Sequence, residues 1–592
     1  MNPLNRYLKL LCNIVLFTYI LSFQSPIFAE NSTLSGQPFS DVPEASYAYS
    51  AINELKALGI TNGIGNNQFG YGQTISRGEF ITFLVRLMGW NQVTPGSGSF
   101  SDNQNNKKFY YSPVETALVH GVVTKGDGKF RPETAITREE AAVMVVNCLG
   151  YGPLADRLYY LDKPFSDVTK NIGYITIAKD FGIFSTSTTF NPQANALWEQ
   201  VAAILIRMIH ALKRPLKDLN AFYAISSTSQ QNKIEDLSSV SFGWSALSFD
   251  KTTGSVVINF SRNALGYNDY YLPLGFTQRL SYARQSGVPA LLMLQASQDS
   301  KMTDPATGLQ MGMPEYILTQ QEVYRKLIND IISSLNTTTL GSENGSFDGV
   351  VIDIEGLKGE KLKQSFSDFL KELKTALDLN SKTLYVAVHP MIHPKRSAAS
   401  MDGYDYRAIG LLAEKVILMA HDYDAKKLTE ADKARGFNIT PLTPIEDVYY
   451  ALEAITDAES GVQDKNKIML QISFDWTVWH KKDGKTLNSS PDSFSLENFI
   501  KLLNSGTAIS YQYSMEYDNP YIKYTDSKTG VENTVWYENT TSVMNKLKLA
   551  RLFGIQGISL WRLGLIPDYQ PADGRKLEMD VWQNIIKEME IH

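Results

Sequence analysis

Hydrophobic and polar positions in residues 221–592 follow two alternating patterns. Short runs rich in β-branched and aromatic residues are separated by longer stretches whose apolar positions recur with helical spacing. Eight runs are candidate strands: 221–226, 240–247, 289–295, 349–354, 383–389, 416–420, 468–473 and 557–561. Candidate helices fall between most of them, for example at 320–334, 361–377 and 445–455. This alternation predicts the α/β class and a (β/α)8 TIM barrel with insertions.

A different pattern, an internal repeat of about sixty residues, precedes the predicted barrel. The tripeptide Phe-Ser-Asp begins at residues 39, 100 and 165, and a single phenylalanine recurs at residues 69, 130 and 190. Segments 75–79 and 136–140 share a Ser or Thr that can cap a helix and a Glu near its positive end. Apolar helices are predicted to follow at 80–88, 141–149 and 201–209. The barrel is therefore predicted to follow an α-helical module of three repeats.

Segment boundaries come from the same patterns. Residues 1–29 are predicted to be a signal peptide, because Arg6 and Lys9 precede an apolar stretch and Ala29 ends an acceptable cleavage site. The alternative is an uncleaved membrane anchor, for which the apolar run is short. The repeats are assigned to 38–90, 99–151 and 164–212, and the barrel to 221–592. A polar, proline-containing linker is predicted between them, at 213–220.

Composition excludes several classes of protein. Hydrophobic residues make up 43% and charged residues 20% of the 592 residues, as in globular proteins rather than disordered ones. The net charge of -6 argues against a nucleic-acid partner, which requires a basic surface. After the signal peptide only Cys148 remains, so no intrachain disulfide is expected. No later segment has the apolar length of a membrane span, so none is expected in the mature chain.

The most informative single segment ends the fourth candidate strand. Asp353 and Glu355 are two residues apart and therefore point to the same side of the strand. Catalytic groups of barrel enzymes sit at the carboxyl ends of strands, which is where this pair falls. Two carboxylates this close do not both ionise easily, so one pKa should rise, as a general acid requires. The alternative is that they are two ordinary acidic residues at the solvent end of a strand.

The repeats resemble S-layer homology domains, whose pattern combines an FSDV-like start with a TRAE-like helix start. The resemblance covers about residues 38–212 and implies a module that binds a secondary cell-wall polysaccharide. It implies polymer binding by Arg77 and Arg138, with the motif aspartates Asp41 and Asp102. A guanidinium at a helix start suits an anionic ligand, although these arginines could instead fix the helix ends. The third repeat has Trp198 in the place of the arginine, which leaves its groove in doubt.

Residues 218–592 resemble glycoside hydrolase family 18. Segment 348–355 matches the family pattern DGxDxDxE on the fourth strand, except that Val351 replaces one Asp. Segment 419–422 falls where the family has Met-x-Tyr-Asp, and segment 557–564 is similar to its eighth strand. Weaker similarities lie at 240–244 and 535–538. The resemblance is greatest to the branch of spore and cell-wall peptidoglycan glucosaminidases.

This resemblance implies a retaining, substrate-assisted mechanism and an N-acetylated polysaccharide substrate. Glu355 is expected to protonate the leaving oxygen and then activate water. Asp353 is expected to orient the acetamido group whose carbonyl oxygen attacks the anomeric carbon. The other implied substrate-binding residues are Asp348, Trp244, His421, Asp422, Tyr423 and Trp561. His421 stands where the family has Tyr, and Tyr423 is expected to substitute for it in part.

Three functions follow as hypotheses. The first is a secreted, wall-attached or S-layer-attached glycosidase that cuts β-1,4 bonds next to N-acetylglucosamine in peptidoglycan or a chitin-like glycan. The second is an inactive, carbohydrate-binding barrel, and the third is a structural surface-layer component. No cofactor and no metal are expected, because Pro390 prevents a regular helix from presenting His389 and His393 on one face. The retained carboxylate pair favours the first hypothesis.

Overall fold

The computed structural model of the chain describes residues 38–184, 188–393, 401–423, 427–571 and 574–589. The predicted signal peptide lies outside these residues. The chain divides into two compact units, one of Met1–Leu149 with Thr189–Ile206 and one of Gly150–Thr188 with Arg207–His592. None of the helices in the described ranges combines the length and the apolar character needed to cross a bilayer.

The first unit is helical and repetitive. The helices of the repeat region are α1 (Tyr49–Ala57), α2 (Arg77–Leu87), α3 (Tyr111–Val119), α4 (Arg138–Cys148), α5 (Gly152–Arg157), α6 (Ile172–Asp180) and α7 (Trp198–Leu212). α2 and α4 begin three residues earlier than predicted, because Ser76 and Thr137 each close a capping box with the Glu three residues later. The predicted caps, Ser76 and Thr137, are therefore confirmed, whereas the first residues of the two helices are corrected to Arg77 and Arg138.

Pseudo-threefold hydrogen bonding joins the segments before α2, α4 and α7. Ile136 N donates to Ile75 O, Ile75 N to Ala196 O, and Ala196 N to Ile136 O, at 2.8–3.0 Å. The three helix starts thus close a ring in which each repeat supplies one donor and one acceptor. Such closure satisfies backbone groups that none of the repeats could pair alone.

The second unit contains a closed parallel barrel. Its strands are β1 (Asp218–Tyr223), β2 (Ser239–Asp250), β4 (Ala290–Ser297), β9 (Gly349–Glu355), β10 (Thr383–Val388), β11 (Lys415–Leu418), β12 (Ile468–Ser473) and β19 (Gly557–Trp561). Each pairs in parallel with the next, and β19 pairs with β1 to close the sheet. The predicted TIM barrel is confirmed. All eight predicted strands are present, the first displaced towards the amino terminus.

Helices cover the barrel as expected of βα units. They are α8 (Phe276–Gln285), α9 (Met313–Leu318), α10 (Gln321–Asn336), α11 (Gly359–Leu379), α12 (Tyr406–Leu412), α13 (Glu430–Ala434), α14 (Ile445–Ile455), α15 (Leu496–Asn504), α16 (Thr540–Phe553) and α17 (Val581–Glu588). Short 3-10 segments lie at Leu158–Tyr160, Ile225–Asp236 and Lys465–Lys467. β3 (Ser255–Asn259) pairs antiparallel with β2 at the edge of the barrel sheet. Two small two-stranded sheets lie in the loops: β5 (Lys301–Thr303) with β6 (Gln310–Gly312), and β7 (Thr338–Leu340) with β8 (Glu343–Gly345). The three barrel helices predicted from sequence correspond to α10, α11 and α14.

An antiparallel sheet is inserted between β12 and α16. It consists of β13 (Trp476–Lys482), β14 (Lys485–Thr486), β15 (Asp492–Phe494), β16 (Ile509–Ser514), β17 (Asn519–Thr525) and β18 (Glu532–Trp536). Trp476 and Trp479 are both buried in its packing. Tyr517 and Tyr521 pack on Trp536 in the same way. These aromatic residues stabilise the insertion.

Two predicted boundaries need correction. The proposed linker 213–220 is wrong in its second half, because β1 begins at Asp218 and Leu216 is fully buried. The predicted third repeat, 164–212, is divided between the two units. Within the second unit, Tyr449 of α14 donates a 2.5 Å hydrogen bond to Asp180 of α6. This contact, with its aromatic neighbours, explains why residues 150–188 belong with the barrel.

Candidate active site

The carboxylate pair lies where β9 reaches the mouth of the barrel. Val351 belongs to the apolar cluster inside the barrel, and alternation along the strand places Asp353 and Glu355 above it on the same side. Asp353 is 4% exposed, whereas Glu355 is half-buried. The two side chains therefore sit at successive depths of one cavity wall, with Glu355 nearer to solvent.

Burial dominates the electrostatics of this pair. It raises the pKa of Asp353 well above its usual value, and the neighbouring Glu355 charge adds to the rise. Burial likewise raises the pKa of Glu355, although a hydrogen bond with Gln295 and the charge of His421 oppose this. The pair thus retains a proton at a pH where isolated carboxyls are ionised, and a retained proton is what a general acid needs.

His421 lies just after the end of β11, between two polar side chains. Its Nδ1 lies 2.7 Å from Asp422 Oδ2 and its Nε2 lies 2.7 Å from Gln471 Oε1. Burial opposes the charged form of His421, but Asp422 and Gln471 outweigh it and raise the pKa. When the ring is protonated, its charge favours ionisation of Asp353 and Glu355.

His389 is a further polar group in this wall, at the end of β10. Burial, followed by the neighbouring His421 charge, lowers its pKa to about 4, so it is neutral near pH 7. Among the described residues, neither His389 Nε2 nor Asp353 Oδ1 has a hydrogen-bond partner, although both atoms are buried. Orphaned buried polar atoms are costly unless a ligand or water pairs with them. In the described ranges, no group of three His, Cys, Asp or Glu side chains is arranged so that it could hold a metal ion.

Aromatic and charged side chains complete the mouth. Trp561 ends β19 and rests on Phe222 at a ring separation of 5.2 Å, so its partly exposed ring forms the floor. Tyr270 is largely buried against the interior cluster, and burial together with the charges of Asp353 and Glu355 raises its pKa. Burial and the negative charge of Asp422 raise the pKa of Asp475, and the positive charge of Arg562 opposes this rise without cancelling it. The floor is apolar and the walls are polar, as in a site for a sugar ring.

Three residues expected to bind substrate lie elsewhere. Asp348 precedes β9 at its amino end, and its carboxylate accepts a hydrogen bond from Ala290 N at 2.8 Å, so it joins two strands at the bottom of the barrel. Trp244 is fully buried and stacks on Phe242 in the layer between strands and helices. Tyr423 directs its hydroxyl at the Asp447 carbonyl of α14. For Asp348 and Trp244 the prediction of substrate contact is wrong, because one is at the opposite end of its strand and the other is enclosed.

Four residues of the mouth went unnoticed or undervalued in the sequence: Tyr270, His389, Asp475 and Arg562. His389 attracted attention only as half of a metal-like spacing. Arg562 lies inside segment 557–564, which the sequence analysis singles out for Trp561 rather than for the arginine. Tyr270 and Asp475 lie in loops, where nothing in the local sequence distinguishes them from ordinary loop residues. Their position after a strand end is the only signal that could have identified them.

The arginines expected to bind wall polymer are tied to the fold of the first unit. Arg77 Nε donates to Phe130 O at 2.8 Å and Nη1 pairs with Glu140 at 2.6 Å. Arg138 Nε donates to Phe190 O at 2.8 Å in the same way. Each guanidinium also lies 5.0 Å from the ring of the phenylalanine whose carbonyl it binds. These contacts favour the alternative that the arginines connect one repeat to the next.

Trp198 makes the corresponding contact in the third position. Its ring packs edge-on against Phe69 at 5.3 Å and Phe83 at 5.2 Å. Apolar packing therefore replaces the cation and carbonyl pair without opening the ring of repeats. The fold of the first unit therefore accommodates Trp198 in the place where the repeat pattern has an arginine.

The motif aspartates have an equally internal role. Asp41 accepts hydrogen bonds from the backbone N–H groups of Phe69, Gly70 and Tyr71 at 2.7–3.0 Å. Asp102 accepts from Phe130 and Arg131 in the second repeat, at 2.8 Å each. Burial acts against ionisation of Asp41, but the backbone donors outweigh it and lower the pKa. Both aspartates hold the loop that carries the repeated phenylalanine.

Asp41→Ala is expected to destabilise the first unit by about 1.5–3 kcal/mol, the usual contribution of hydrogen bonds to a charged group. Because the folded-state pKa is lowered, the contribution is present above the unfolded pKa and is lost as pH falls through the folded pKa. Melting temperatures of the wild-type and variant full chains between pH 2 and 7 measure both the loss of stability and its dependence on pH. Equal melting temperatures of wild type and variant at pH 7 would contradict the assigned role.

Comparison with known families agrees with this geometry. Residues 315–565 match the model of glycosyl hydrolases family 18, and residues 38–81 and 99–142 match that of the S-layer homology domain. The chain contains a family 18 glycosidase domain and S-layer homology domains. The family 18 match includes β9 with the carboxylate pair and ends just after β19 with Trp561. The two S-layer homology matches are the two repeats that retain the arginine.

Individual relatives are similar to parts of this chain. The cortical fragment-lytic enzyme of Bacillus subtilis (strain 168) is 24% identical over 256 residues, which are 42% of this chain and 52% of that protein. The cell surface protein of Thermoanaerobacter kivui is 29% identical over 180 residues, 30% of this chain and 21% of that protein. The chain spans about half the length of the cortical fragment-lytic enzyme. The crystal structure of the Bacillus cereus spore cortex-lytic enzyme SleL is 18% identical, covering 64% of this chain and 76% of that chain with a TM-score of 0.46.

Proposed function

We propose that this family 18 chain is a wall-attached glycosidase that cuts β-1,4 bonds next to N-acetylglucosamine by substrate-assisted, retaining catalysis. The observation that carries the proposal is the buried Asp353 and Glu355 pair at the mouth of the barrel. Its members are held at different depths, with the more exposed Glu355 able to deliver a proton to a ligand above the Trp561 floor.

In the proposed reaction, Glu355 protonates the glycosidic oxygen while the substrate's own acetamido oxygen attacks the anomeric carbon. Asp353 accepts a hydrogen bond from the acetamido N–H through its unpartnered oxygen, which aligns the nucleophile. The C–O bond to the leaving sugar breaks and a cyclic intermediate forms. Glu355, now ionised, takes a proton from the water that opens the intermediate, so two inversions retain the configuration.

His421 and His389 support the same assignment. When protonated, His421 places a positive charge near both carboxylates and limits the rise in their pKa caused by burial, so that Glu355 can both hold a proton and give it up. Neutral His389, with its buried and unpartnered Nε2, offers a second hydrogen-bonding group to the substrate. The second hypothesis, a barrel that binds without cutting, predicts no need for a retained proton at Glu355.

The test is product analysis with the full chain on purified peptidoglycan and on chitin oligomers. Mass spectrometry identifies the new reducing end, and NMR during the first turnovers identifies its anomeric configuration. We expect a retained β-anomer of N-acetylglucosamine and no cleavage of oligomers whose acetamido groups have been removed. Cleavage of deacetylated oligomers would overturn substrate assistance. Unchanged binding without any cleavage would favour the carbohydrate-binding alternative.

The pH profile should depend on His421. Besides the carboxylate pair, the charged or titratable groups around its ring are Asp422, Asp475 and His389. His421→Gln removes a positive charge that lowers the pKa of Glu355, so Glu355 stays protonated to higher pH. We therefore expect the basic limb of kcat/KM to move upward in the variant. A basic limb that is unchanged or lower would show that His421 does not act on the proton donor.

We further propose that the chain is secreted and attached to the cell wall through its S-layer homology domains. The repeats that match this domain and the named cell surface relative support the proposal. A secondary cell-wall polysaccharide is the proposed partner. Co-sedimentation of the full chain with purified walls, before and after chemical removal of that polymer, tests it. Equal sedimentation with stripped walls would contradict this attachment.

A further inference from the structure

We propose that Arg262 forms a subsite for a carboxylate carried by the glycan, which would direct this site towards anionic wall polymer rather than neutral chitin. The inference rests on the proposed function and deepens it by naming a substrate class. It concerns the loop at 260–275, between β3 and α8, which neither the sequence motifs nor the family patterns include.

Strand register places the start of this loop at the level of the catalytic pair. Asn259 of β3 is paired with Ala246 of β2, which is paired with Gln295 of β4, and Gln295 is paired with Asp353. Three strand spacings separate Asn259 from Asp353, roughly 14 Å along the rim. This distance is little more than the length of one disaccharide, so a bound strand of a few sugars reaches the loop.

The loop is built by internal hydrogen bonds. Asn268 is buried and its amide donates to Tyr270 O at 2.6 Å and Ser261 O at 3.2 Å, while its Oδ1 accepts from Tyr270 N at 2.8 Å. Asn268 N donates to Arg262 O at 2.8 Å. The same asparagine thus fixes the backbone of both Tyr270, which faces the catalytic carboxylates, and Arg262, which faces solvent.

Arg262 is held between two aromatic rings. Its guanidinium carbon lies 5.8 Å from the ring centre of Tyr267 and 5.5 Å from that of Tyr271. The side chain is exposed; it also hydrogen-bonds with Tyr267, and Asp269 is a further negative charge in the same loop. These contacts restrain the side chain, while its exposure lets the remaining N–H groups of the guanidinium reach a ligand. A pre-oriented planar guanidinium suits bidentate binding of a carboxylate.

Charge at the mouth explains why such a cation is useful. Four carboxyl groups, Asp353, Glu355, Asp422 and Asp475, outnumber the basic groups His421 and Arg562 in the mouth, and those that are ionised repel an anionic strand. A cation on the rim offsets that repulsion for a glycan bearing carboxylates and adds little for a neutral one. In peptidoglycan the carboxylate could belong to the lactyl ether or to the stem peptide, and the test below separates these sources.

The test measures binding to full-length Glu355→Gln protein, so that no turnover is required. Three ligands of equal sugar length are compared: peptidoglycan strands with stem peptides, the same strands after amidase treatment, and chitin oligomers. Arg262→Gln is expected to raise Kd for the carboxylate-bearing strands by about five- to tenfold, as for one charge-assisted contact at a solvent-exposed site, and to raise Kd for chitin by much less. The matched control is Lys371→Gln, an exposed cation on α11, for which no change is expected.

Loss of affinity for the amidase-treated strands alone assigns the lactyl carboxylate, which is free only after the stem peptide has been removed. Loss for the peptide-bearing strands alone assigns the stem peptide, and loss for both shows that the subsite takes either carboxylate. Equal loss on all three ligands, or no loss on either anionic one, would overturn the inference. If wild-type protein cuts none of the polymers yet Arg262→Gln still weakens anionic binding selectively, the proposed function fails while the subsite stands. Higher salt should reduce the difference in Kd for carboxylate-bearing strands between the Arg262→Gln variant and the parent protein.

Discussion

Glu355→Gln is expected to lower kcat on N-acetylated glycan by roughly 100- to 10,000-fold, the usual contribution of a positioned proton donor. The amide keeps the size and polarity of the side chain but cannot give up a proton to the leaving oxygen. Glycan binding and the melting temperature should change little, because Glu355 is half-buried and makes no ion pair among the described residues. Initial rates and Kd for the same oligomer provide both measurements.

The matched control for this variant is Glu360→Gln, an exposed carboxylate in the first turn of α11, a few residues further along the chain. It should retain full activity. A fall of less than tenfold in the Glu355 variant would remove that residue from the role of general acid. A fall of equal size in both variants would point to a general loss of fold instead.

Lys546→Met is expected to destabilise the second unit by about 3–5 kcal/mol, because it leaves a buried carboxylate without its counter-ion. Lys546 of α16 lies 3.2 Å from Glu538, and the two side chains are 1% and 0% exposed. Glu538 also accepts hydrogen bonds from Thr443 and Ser542, so it connects the inserted sheet, α16 and the loop before α14. Thermal and denaturant-induced unfolding of the full chain measure the loss.

The double variant Glu538→Gln/Lys546→Met separates the cost of a buried charge from the cost of lost packing. With both charges removed we expect recovery of a large part of the lost stability, since no unpaired ion remains. Additive losses in the double variant would show that packing rather than charge dominates. Lys546→Met at full stability would contradict the assignment of a buried pair.

The fold was predictable because it depends on patterns that are local in the chain. The barrel follows from strand and helix periods that repeat eight times, and each period reports which face of an element is buried. The capping boxes of α2 and α4 could be identified because cap and partner are three residues apart. Boundaries were less predictable: Leu216 has nothing in its local sequence to show that it is buried beside β1.

The candidate site was predictable only for residues inside a motif. Asp353 and Glu355 are two positions apart on one strand, so their common orientation follows from strand geometry alone. Membership of the motif was also misleading for Asp348, which lies seven residues before Glu355 and therefore at the opposite end of the strand. Trp244 misled in a similar way, because a tryptophan on a barrel strand can face the helices as easily as the barrel interior.

By itself, the sequence determined the class of fold, the repeated module before it and the position of the acidic pair, because periodicity and short spacings are local. Only the tertiary structure decided which charges meet. It brought Gln471 to His421 from 50 residues away, tied Arg77 to the carbonyl of Phe130, and set Arg262 between two tyrosines on the rim. Protonation and binding depend on such contacts, because the strength of a charge interaction is set by distance, burial and local dielectric. The number of residues between the two groups in the chain does not enter.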